Sequence, residues 1–488
     1  MSFASGLVAI CSLVFIASPL LTAQSGSTEQ TIDKIVQCLP PPVVVKGEPP
    51  ACTPLLTRMQ QLHIPGVSIA VVHHGVIEWA RGYGIAAPDN KPVTPETLFQ
   101  AGSISKPVGA MATLHLVQEG KLSLDADVNT QLTSWKVPAT TFIAPGAIVT
   151  LRELLTHTAG MTVHGFPGYA AGAPVPTLVQ VLNGEKPANT EAIRIETPPG
   201  KKWNYSGGGY TITQQLDIDV SHEPFPKLLH DTVLAPIGMT HSTYEQPLPA
   251  AMQANAAAPY DEHGAPVPGG AHTYPEMAAA GLWTTPSDLG RYIIENRRSL
   301  EGKANHVLSQ AMTKEMMTPG KGSWGLGLQI GGSPSNPYFE HGGVNEGFEA
   351  LFVGYENNGE GAAVMTNAQG GSRICSEIMS AIAIAYGWPD FKPAERTQIQ
   401  LPPDALNQFV GSYQATTPSV TFTFTVEDGH LMGVAGAQRK IEFFPESPTR
   451  VFAKVVPVEI EFVKNDKGEI TGMVVHQGDN QLSATKKK

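Results

Sequence analysis

Charged residues are scarce in this chain. They make up 15% of its 488 residues, and acidic side chains outnumber basic ones, so the formal net charge at pH 7 is −11. No run of lysines and arginines interleaves with aromatic residues, which account for only 7% of the sequence. A protein that binds nucleic acid through the phosphate backbone needs such a basic surface. Nucleic acid is therefore not an expected partner, and 42% hydrophobic residues predict a folded, globular chain.

Long apolar runs are missing after the first two dozen residues. The apolar stretch 7–16 is followed by Ser18-Pro19 and then by Leu-Thr-Ala ending at Ala23, which is typical of a signal peptide cleaved after residue 23. A retained membrane anchor is the alternative. No later run approaches the roughly 18 apolar residues of a membrane-spanning helix. We expect residues 1–23 to direct export to the periplasm or the medium, leaving a processed protein without a stable membrane span.

Cysteine is also rare, and the predicted mature chain keeps only three cysteines. Cys38 and Cys52 lie close together in a proline-rich segment, 24–55, and an exported protein can join such a pair by a disulfide. Unpaired thiols in a mobile arm are the alternative. The prolines predict that this segment forms no helix or strand of its own. Cys375 is expected to pack inside a helix.

The main part of the chain, residues 56–388, combines strand signals with helical ones. Segments 66–72 and 76–80 are separated by a turn signal and indicate a β-hairpin. A helical middle follows, and another hairpin at 348–365 precedes a last apolar helix at 374–386. Strands that bracket helices predict an α+β fold with one antiparallel sheet, flanking helices and a helical subdomain.

Prolines mark a linker at residues 389–405, which separates a second domain from the first. Residues 406–488 contain short alternating strands and turns, so we predict a small all-β, lipocalin-like domain. The alternating stretch 421–426 is expected to pack on the main domain as structural support. Enclosing a ligand is the alternative function for such a domain.

The sequence Ser-Ile-Ser-Lys at 103–106 lies where a strand-like stretch gives way to a helix. A serine hydroxyl is a weak nucleophile until a neighbouring base accepts its proton. Lys106 can be that base because residues three apart share one helical face. The pattern alone has little specificity, since Ser483 and Lys486 repeat it in the charged tail, where we expect it to be accidental.

Two further motifs follow in order. The first, Pro-Gly-Lys-Lys-Trp-Asn-Tyr-Ser-Gly, contains Tyr205, and the second is Phe-Glu-His-Gly-Gly-Val at 339–344. The three motifs resemble those of the class C β-lactamase and D-alanyl-D-alanine-peptidase-related family of penicillin-recognising serine hydrolases. Its signatures are Ser-x-x-Lys, Tyr-x-Asn and Lys-Thr-Gly or His-x-Gly. The likeness covers about residues 55–388 and implies that family's fold.

The resemblance also implies roles for the residues of the first two motifs. Ser103 would be the nucleophile that is acylated, and Lys106 would share its proton. Tyr205 would act as the general base and would later protonate the leaving group. We therefore expect a serine hydrolase that works through an acyl-enzyme.

The third motif, by the same resemblance, forms the substrate-binding edge. His341 stands where the family has its lysine or histidine. The backbone N–H groups of Ser103 and Val344 would form the oxyanion hole, which commonly contributes about 10²- to 10³-fold in turnover. Gly342 and Gly343 would let this edge strand approach the substrate.

The chain departs from the family at Gly207, where Tyr-x-Asn places asparagine. The site therefore lacks a side-chain amide for a substrate acylamide, and a neutral His341 attracts a carboxylate less than lysine does. We expect hydrolysis of a small ester or amide, as by an esterase or a D-amino-acid peptidase. The alternatives are a true class C-like β-lactamase and a catalytically silent binding protein that uses its C-terminal domain.

Other catalytic classes lack their signatures. An α/β-hydrolase needs Gly-x-Ser-x-Gly at a strand-to-helix turn, and the nearest match, around Ser68, lies inside a predicted strand. The pair His73-His74 and the histidines His157 and His164 show no metal-binding spacing, so neither a metal nor a cofactor is predicted. His157 is expected to order the turn after its helix.

Overall fold

The computed structural model of the chain describes residues 19–49, 51–140, 146–478 and 480–487. Most of the predicted signal peptide, residues 1–18, lies outside this part of the chain. Within it, no helix combines the length and the apolar character that a membrane crossing needs.

The helices of the described residues are α1 (Pro19–Gln37), α2 (Leu55–Gln61), α3 (Ser105–Gln118), α4 (Leu151–Leu155), α5 (Leu178–Asn183), α6 (Gly207–Ser221), α7 (Phe225–Leu229), α8 (Ala250–Gln253), α9 (Met277–Ala280), α10 (Pro286–Leu300), α11 (Gln310–Met317), α12 (Ser372–Ala385) and α13 (Pro403–Leu406). The strands are β1 (Val43–Val45), β2 (Gly66–His73), β3 (Val76–Gly84), β4 (Phe99–Gln100), β5 (Trp283–Thr284), β6 (Gln329–Ser333), β7 (Asn336–Asn345), β8 (Phe348–Tyr355), β9 (Gly361–Thr366), β10 (Ala394–Arg396), β11 (Gly411–Thr416), β12 (Ser419–Glu427), β13 (His430–Ala435), β14 (Ile441–Pro445), β15 (Arg450–Phe452), β16 (Glu459–Lys464), β17 (Ile470–Gln477) and β18 (Asn480–Lys486).

A six-stranded antiparallel sheet in the order β3-β2-β9-β8-β7-β6 forms the centre of the main domain. β2 is buried along almost its whole length because helices cover both faces of the sheet. On one face α10 packs against β2 and β9, and on the other α12 packs against β8 and β9. The two terminal parts of the domain thus complete one sheet, and the predicted α+β fold is confirmed.

The helical subdomain lies between β4 and β5 in sequence and surrounds α3. Residues on every side of α3 are buried, which explains why this helix is apolar around its circumference. α6 and α9 contact α3, and α4 packs on α6. This packing fixes the start of α3, where the predicted serine and lysine lie.

The N-terminal segment 24–55 contains regular structure, so the expectation that it forms no element was wrong. α1 buries Ile32 and Ile35, three residues apart on one face, in the same apolar cluster as α12. β1 pairs in parallel with β10 of the linker. Cys38 and Cys52 form the predicted disulfide, which closes the loop that carries β1. Cys375 is buried in α12 as predicted.

The C-terminal domain is a closed barrel of the strands β11 to β18, which confirms the predicted all-β domain. Phe409, just before β11, stacks on Phe462 with ring centroids 4.5 Å apart and fills one end of the barrel. Phe422 and Phe424 of β12 point into the barrel rather than onto the main domain, contrary to the expected role of that stretch. Instead β1 and β15 make the contact between the domains, through Val43, Val45 and Phe452.

Candidate active site

Ser103 lies in a single 3₁₀ turn, Gly102–Ile104, between β4 and α3. Its side chain is half-buried. Gly102 has φ +52°, and a Cβ there would lie 2.5 Å from the nitrogen of Val344, so this tight turn next to β7 requires glycine. The hydroxyl is therefore held at the start of a buried helix and beside an edge of the sheet.

Lys106 is in the first turn of α3 and is only 2% exposed. Its Nζ donates to Ser103 Oγ over 2.8 Å and to the carbonyl oxygen of Ala279 over 2.9 Å. In the described part of the chain no carboxylate forms an ion pair with it. The amine lies 5.0 Å from the centroid of the Tyr205 ring. The predicted pairing of Ser103 and Lys106 on one helical face is present, with Tyr205 beside it.

Tyr205 precedes α6, and the local sequence explains its position. Ser206 caps α6 by accepting a hydrogen bond from Gly209 N–H, and its hydroxyl donates to the carbonyl of Thr162. The cap fixes the backbone just after the tyrosine. The half-buried ring packs on His157, with centroids 4.2 Å apart, and against the edge of Trp324 at 5.8 Å.

His157 has a larger part in the site than sequence reasoning gave it. Its Nδ1 accepts a hydrogen bond of 3.1 Å from the backbone N–H of Ser206, which ties the imidazole to the Tyr205 segment. Burial, and after it the charges of Lys106 and His341, holds the pKa of His157 well below its usual range. The ring is therefore neutral and carries its proton on Nε2. The position of His157 after α4 gave no sequence signal for this contact.

β7 presents a free edge to Ser103. β6 pairs with β7 only as far as Glu340, whereas β8 continues to Asn345. Because N–H groups along a strand alternate between its two edges, those of Gly342 and Val344 point to the side that β6 has left. A Cβ at Gly343 would collide with the carbonyl of Ala101, so glycine is needed for this approach. The predicted edge residues therefore lie beside Ser103.

The side chain of His341 is on the same buried face of β7 as Gly343, because residues two apart on a strand share a face, and it is 4% exposed. Its Nδ1–H donates to the carbonyl of Gly342, and none of the described residues forms a hydrogen bond with its Nε2. Burial, and then the charge of Lys106, lowers its pKa from 6.5 to about 3. The ring is neutral at pH 7, and it lies near Tyr205, with ring centroids 6.4 Å apart.

Gly207 is the first residue of α6 and is buried. A Cβ at this position would lie 2.9 Å from Cε2 of Phe166 and 3.4 Å from the carbonyl oxygen of His164. Phe166 thus lies against the position where the family motif has asparagine. Sequence reasoning did not identify Phe166, because it lies in a loop that no motif marks.

Two buried polar side chains fix the surrounding backbone and were also missed. Asn345 Nδ2 donates to Gln100 Oε1 over 2.9 Å and to the carbonyl of Ala280 over 3.0 Å, which joins β7, β4 and α9. Ser105 Oγ donates to the carbonyl of Gly102 and accepts from Leu282 N–H. These bonds tie the turn that carries Ser103 to its neighbouring elements β4, β7 and α9.

Ser68 and the second Ser-x-x-Lys motif, which were expected to have no catalytic role, lie apart from this centre. Ser68 is fully buried within β2. Ser483 and Lys486 lie on β18, where residues three apart point to opposite faces. The position of this second Ser-x-x-Lys in the barrel therefore agrees with the expectation that the match is accidental.

Among the residues that the structure describes, one group of side chains could hold a metal ion. His73, His74 and Glu360 offer ligand atoms within 4.8 Å of one another. They lie at the turn between β2 and β3, at the end of the sheet opposite Val344. His73 and Trp388 already donate hydrogen bonds to Glu360. The cluster is explained by these contacts and is separate from the serine site.

The main domain matches a known protein family. Residues 55–381 match the model of the family described as Beta-lactamase. The chain belongs to this family. Residues 395–487 match a second model, described as a domain of unknown function (DUF3471). The three motifs lie within residues 55–381, so the family resemblance that they indicated is confirmed for the main domain.

Curated relatives match the chain over part of their length. Protein flp of Staphylococcus aureus strain N315 is 26% identical over 288 residues, which are 57% of this chain and 49% of that protein. The Bacillus subtilis protein named "Putative penicillin-binding protein PbpX" is 29% identical over 294 residues, which are 58% of this chain and 65% of that protein. The chain thus spans about half to two thirds of these relatives.

Solved structures share the fold. The octameric penicillin-binding protein homologue from Pyrococcus abyssi has a TM-score of 0.59 and 22% identity, and the match covers 88% of this chain and 98% of that one. D-alanine carboxypeptidase AmpC from Burkholderia cenocepacia has a TM-score of 0.55 and 21% identity, with 74% and 99% covered. At these identities the likeness supports the fold alone.

Proposed function

We propose that this beta-lactamase family member is an exported serine hydrolase that cleaves a small ester or amide through an acyl-Ser103 intermediate. The observation that carries the proposal is the contact of 2.8 Å between Lys106 Nζ and Ser103 Oγ. The amine is buried, has no carboxylate partner in the described part of the chain, and lies against the Tyr205 ring. An arrangement of this kind serves to move a proton from a serine hydroxyl.

The reaction has two steps. Ser103 Oγ forms a bond with the acyl carbon while its proton passes to the Lys106 and Tyr205 pair. The bond to the leaving group then breaks, and Tyr205 returns the proton to the departing alkoxide or amine. In the second step water attacks the acyl-serine, the same pair accepts its proton, and Ser103 regains its hydrogen as the carboxylic acid leaves.

The backbone supplies the stabilisation of the tetrahedral oxyanion in this proposal. The N–H of Val344 points to the free edge of β7, next to the turn that carries the N–H of Ser103. Gly102 and Gly343 allow the two segments to approach. Donors fixed by backbone geometry need no reorganisation when the negative charge develops.

The substrate preference follows from two features of the pocket. Phe166 lies beside Gly207, so an apolar ring replaces a side-chain amide. His341 is neutral at pH 7 because its pKa is lowered to about 3, so it gives little attraction to a substrate carboxylate. Hydrogen bonds to charged groups contribute about 1.5 to 3 kcal/mol each. We infer that β-lactams are disfavoured against esters by about two to four orders of magnitude.

Export belongs to the same proposal. The sequence of residues 1–23 is the main support, and the Cys38–Cys52 disulfide supports an oxidising compartment. α1 begins at Pro19, so cleavage after Ala23 would remove only its first residues. The apolar contacts of Ile32 and Ile35 would remain.

Covalent labelling tests the acyl-serine chemistry. The full chain is incubated with a fluorophosphonate, and the modified peptide is identified by mass spectrometry. We expect one adduct, on Ser103, which Ser103→Ala abolishes while thermal stability is retained. Ser105→Ala would be an unsuitable control because Ser105 holds the turn, so Ser376→Ala on the exposed face of α12 serves instead. An adduct on another serine, or none, would contradict the proposal and favour a silent binding protein.

A substrate panel separates the esterase from the β-lactamase alternative. Specificity constants are compared for a nitrophenyl ester, a D-amino-acid amide and a chromogenic cephalosporin. We expect the highest value for the ester or the amide. A higher value for the cephalosporin would leave the acyl-serine mechanism intact and would assign a class C-like β-lactamase activity.

A further inference from the structure

The C-terminal barrel encloses a cavity that the proposed hydrolysis does not use. Its volume is about 670 Å³, within the range of about 300 to 1,000 Å³ that small-ligand sites occupy. Each of its lining residues belongs to the barrel. From its chemistry, we propose that this cavity binds an amphiphile with one apolar chain and a carboxylate head.

The cavity exists because only one end of the barrel is filled by its own side chains. Phe409, Tyr413 and Phe462 pack together at that end, and Tyr413 donates a hydrogen bond to the carbonyl of Phe409. Eight strands give an interior that side chains either fill or leave open for one small ligand. Here the filling stops at the level of Phe424.

The floor of the cavity is made by aromatic rings that meet over a glycine. Phe424 and Phe443 lie edge to face with centroids 5.3 Å apart. A Cβ at Gly433 would come within 2.6 Å of Phe443 and 2.7 Å of Phe424, so the absence of a side chain there makes room for both rings. The floor is apolar and offers nothing to a charged group.

The upper wall is apolar and yet reached by solvent. Phe422, Ile441, Val458 and Leu482 point inward according to the strand registers, but each remains partly exposed. From Phe424 to Val420 the wall rises by four residues, or about 13 Å. These apolar side chains point inward but remain in contact with water. Covering them with the apolar chain of a ligand lowers the free energy of the system and so favours binding.

The polar side chains at the rim of the cavity determine which head group of the ligand fits there. It carries amide side chains, among them Gln438, Gln477 and Asn480, and a single cation, Arg439, within the described residues that line the cavity. Arg439 is exposed and forms no ion pair in the part of the chain that the structure describes, whereas its neighbour Lys440 pairs with Glu427 over 2.6 Å. A guanidinium and amide donors suit a carboxylate.

The test uses the full chain and measures binding of decanoate by calorimetry, with decanol as the matched ligand without charge. We expect saturable binding of about one decanoate per chain, and at least about tenfold weaker binding of decanol. Ser103→Ala and phosphonate-blocked protein should bind equally well, because the cavity is separate from the serine. Loss of hydrolysis without loss of decanoate binding therefore distinguishes the two proposals.

Two variants locate the ligand. Ala435→Phe places a ring inside the cavity opposite Phe422 and should weaken decanoate binding at least tenfold. Arg439→Gln should weaken decanoate binding about tenfold without changing decanol binding, whereas the control Lys440→Gln should change neither more than about twofold. Val458→Phe fills the opposite wall and replaces Ala435→Phe if that variant does not fold. Absence of saturable binding, or decanoate binding unchanged by a folded cavity-filling variant, would overturn the proposal.

Discussion

The main domain and the C-terminal barrel use buried space differently. The main domain buries polar groups such as Lys106, His157 and His341, and each of the two histidines keeps a buried Nε2 without a hydrogen-bond partner among the described residues. In the described residues of the barrel, Glu459 is the one buried charged side chain, and it pairs with Arg396 and Arg450. Groups left unpaired in a low-dielectric interior are costly unless a substrate uses them. The proposed reaction centre thus contains several buried polar groups, whereas the proposed ligand site of the barrel is apolar space that its own side chains leave unfilled.

Replacing Lys106 is expected to have the largest effect, and to affect the main domain without affecting the barrel. Lys106→Met removes the amine while keeping most of the side-chain volume, so we expect kcat/KM on an ester to fall by about 10²- to 10⁴-fold. Decanoate binding to the barrel should not change. Steady-state kinetics and calorimetry on the same preparation measure both. Lys121→Met, at a 54% exposed position, is the control. An equal loss of kcat/KM in both variants would show that the loss does not come from removal of the Lys106 amine.

The buried histidine should make stability depend on pH. The pKa of His341 is about 3 in the folded protein and about 6.5 when unfolded, so between these values the unfolded chain binds more protons. Stability is present above pH 6.5 and is lost as pH falls towards 3, by about 1.4 kcal/mol per pH unit. His341→Gln should therefore remove about 2.5 kcal/mol of the loss between pH 6 and pH 4.

Urea denaturation at several pH values measures this slope. His430→Gln provides the comparison with the barrel, because that side chain is 61% exposed. An unchanged slope in His341→Gln would show that the ring is already protonated in the folded protein.

Opening the disulfide tests the connection between the two domains. Cys38 and Cys52 are 14 residues apart, and closing a loop of this length contributes about 3 kcal/mol. We expect Cys38→Ala/Cys52→Ala to lose about that much, and β1 to separate more readily from β10 and β15. Thermal unfolding with and without reductant gives the measurement. Reductant should destabilise the wild type but not the double variant, and insensitivity of the wild type would contradict the assigned role.

The smallest expected effect concerns Phe166 and Gly207. Gly207→Asn alone would force the new Cβ against the Phe166 ring, so the added amide should improve kcat/KM on a cephalosporin little. Combining it with Phe166→Ala makes room, and we expect about a tenfold gain over Phe166→Ala alone, the equivalent of one hydrogen bond. Kinetics on the three variants decide this. A gain in kcat/KM from Phe166→Ala by itself would show that the bulk of the Phe166 ring, not the missing amide, limits β-lactam hydrolysis.

Much of the fold could be predicted because hydrophobic periodicity is local. The hairpin at β2 and β3, the apolar helix α12, and the short strands of the barrel all follow from neighbouring residues. The N-terminal arm could not be predicted, since Ile32, Ile35 and the valines of β1 acquire their structure only from partners hundreds of residues away.

The sequence by itself determined the family and the residues of the candidate site. Ser103, Lys106, Tyr205 and His341 occur in motifs whose order and spacing carry the family likeness, and glycines at 342 and 343 permit a close edge. Only the tertiary structure decided the electrostatics and the shape. Burial makes His341 and His157 neutral, a loop places Phe166 beside Gly207, and the stacking of Phe409 on Phe462 leaves the rest of the barrel open. Dielectric environment and unfilled volume depend on groups that are far apart in sequence, so no local pattern records them.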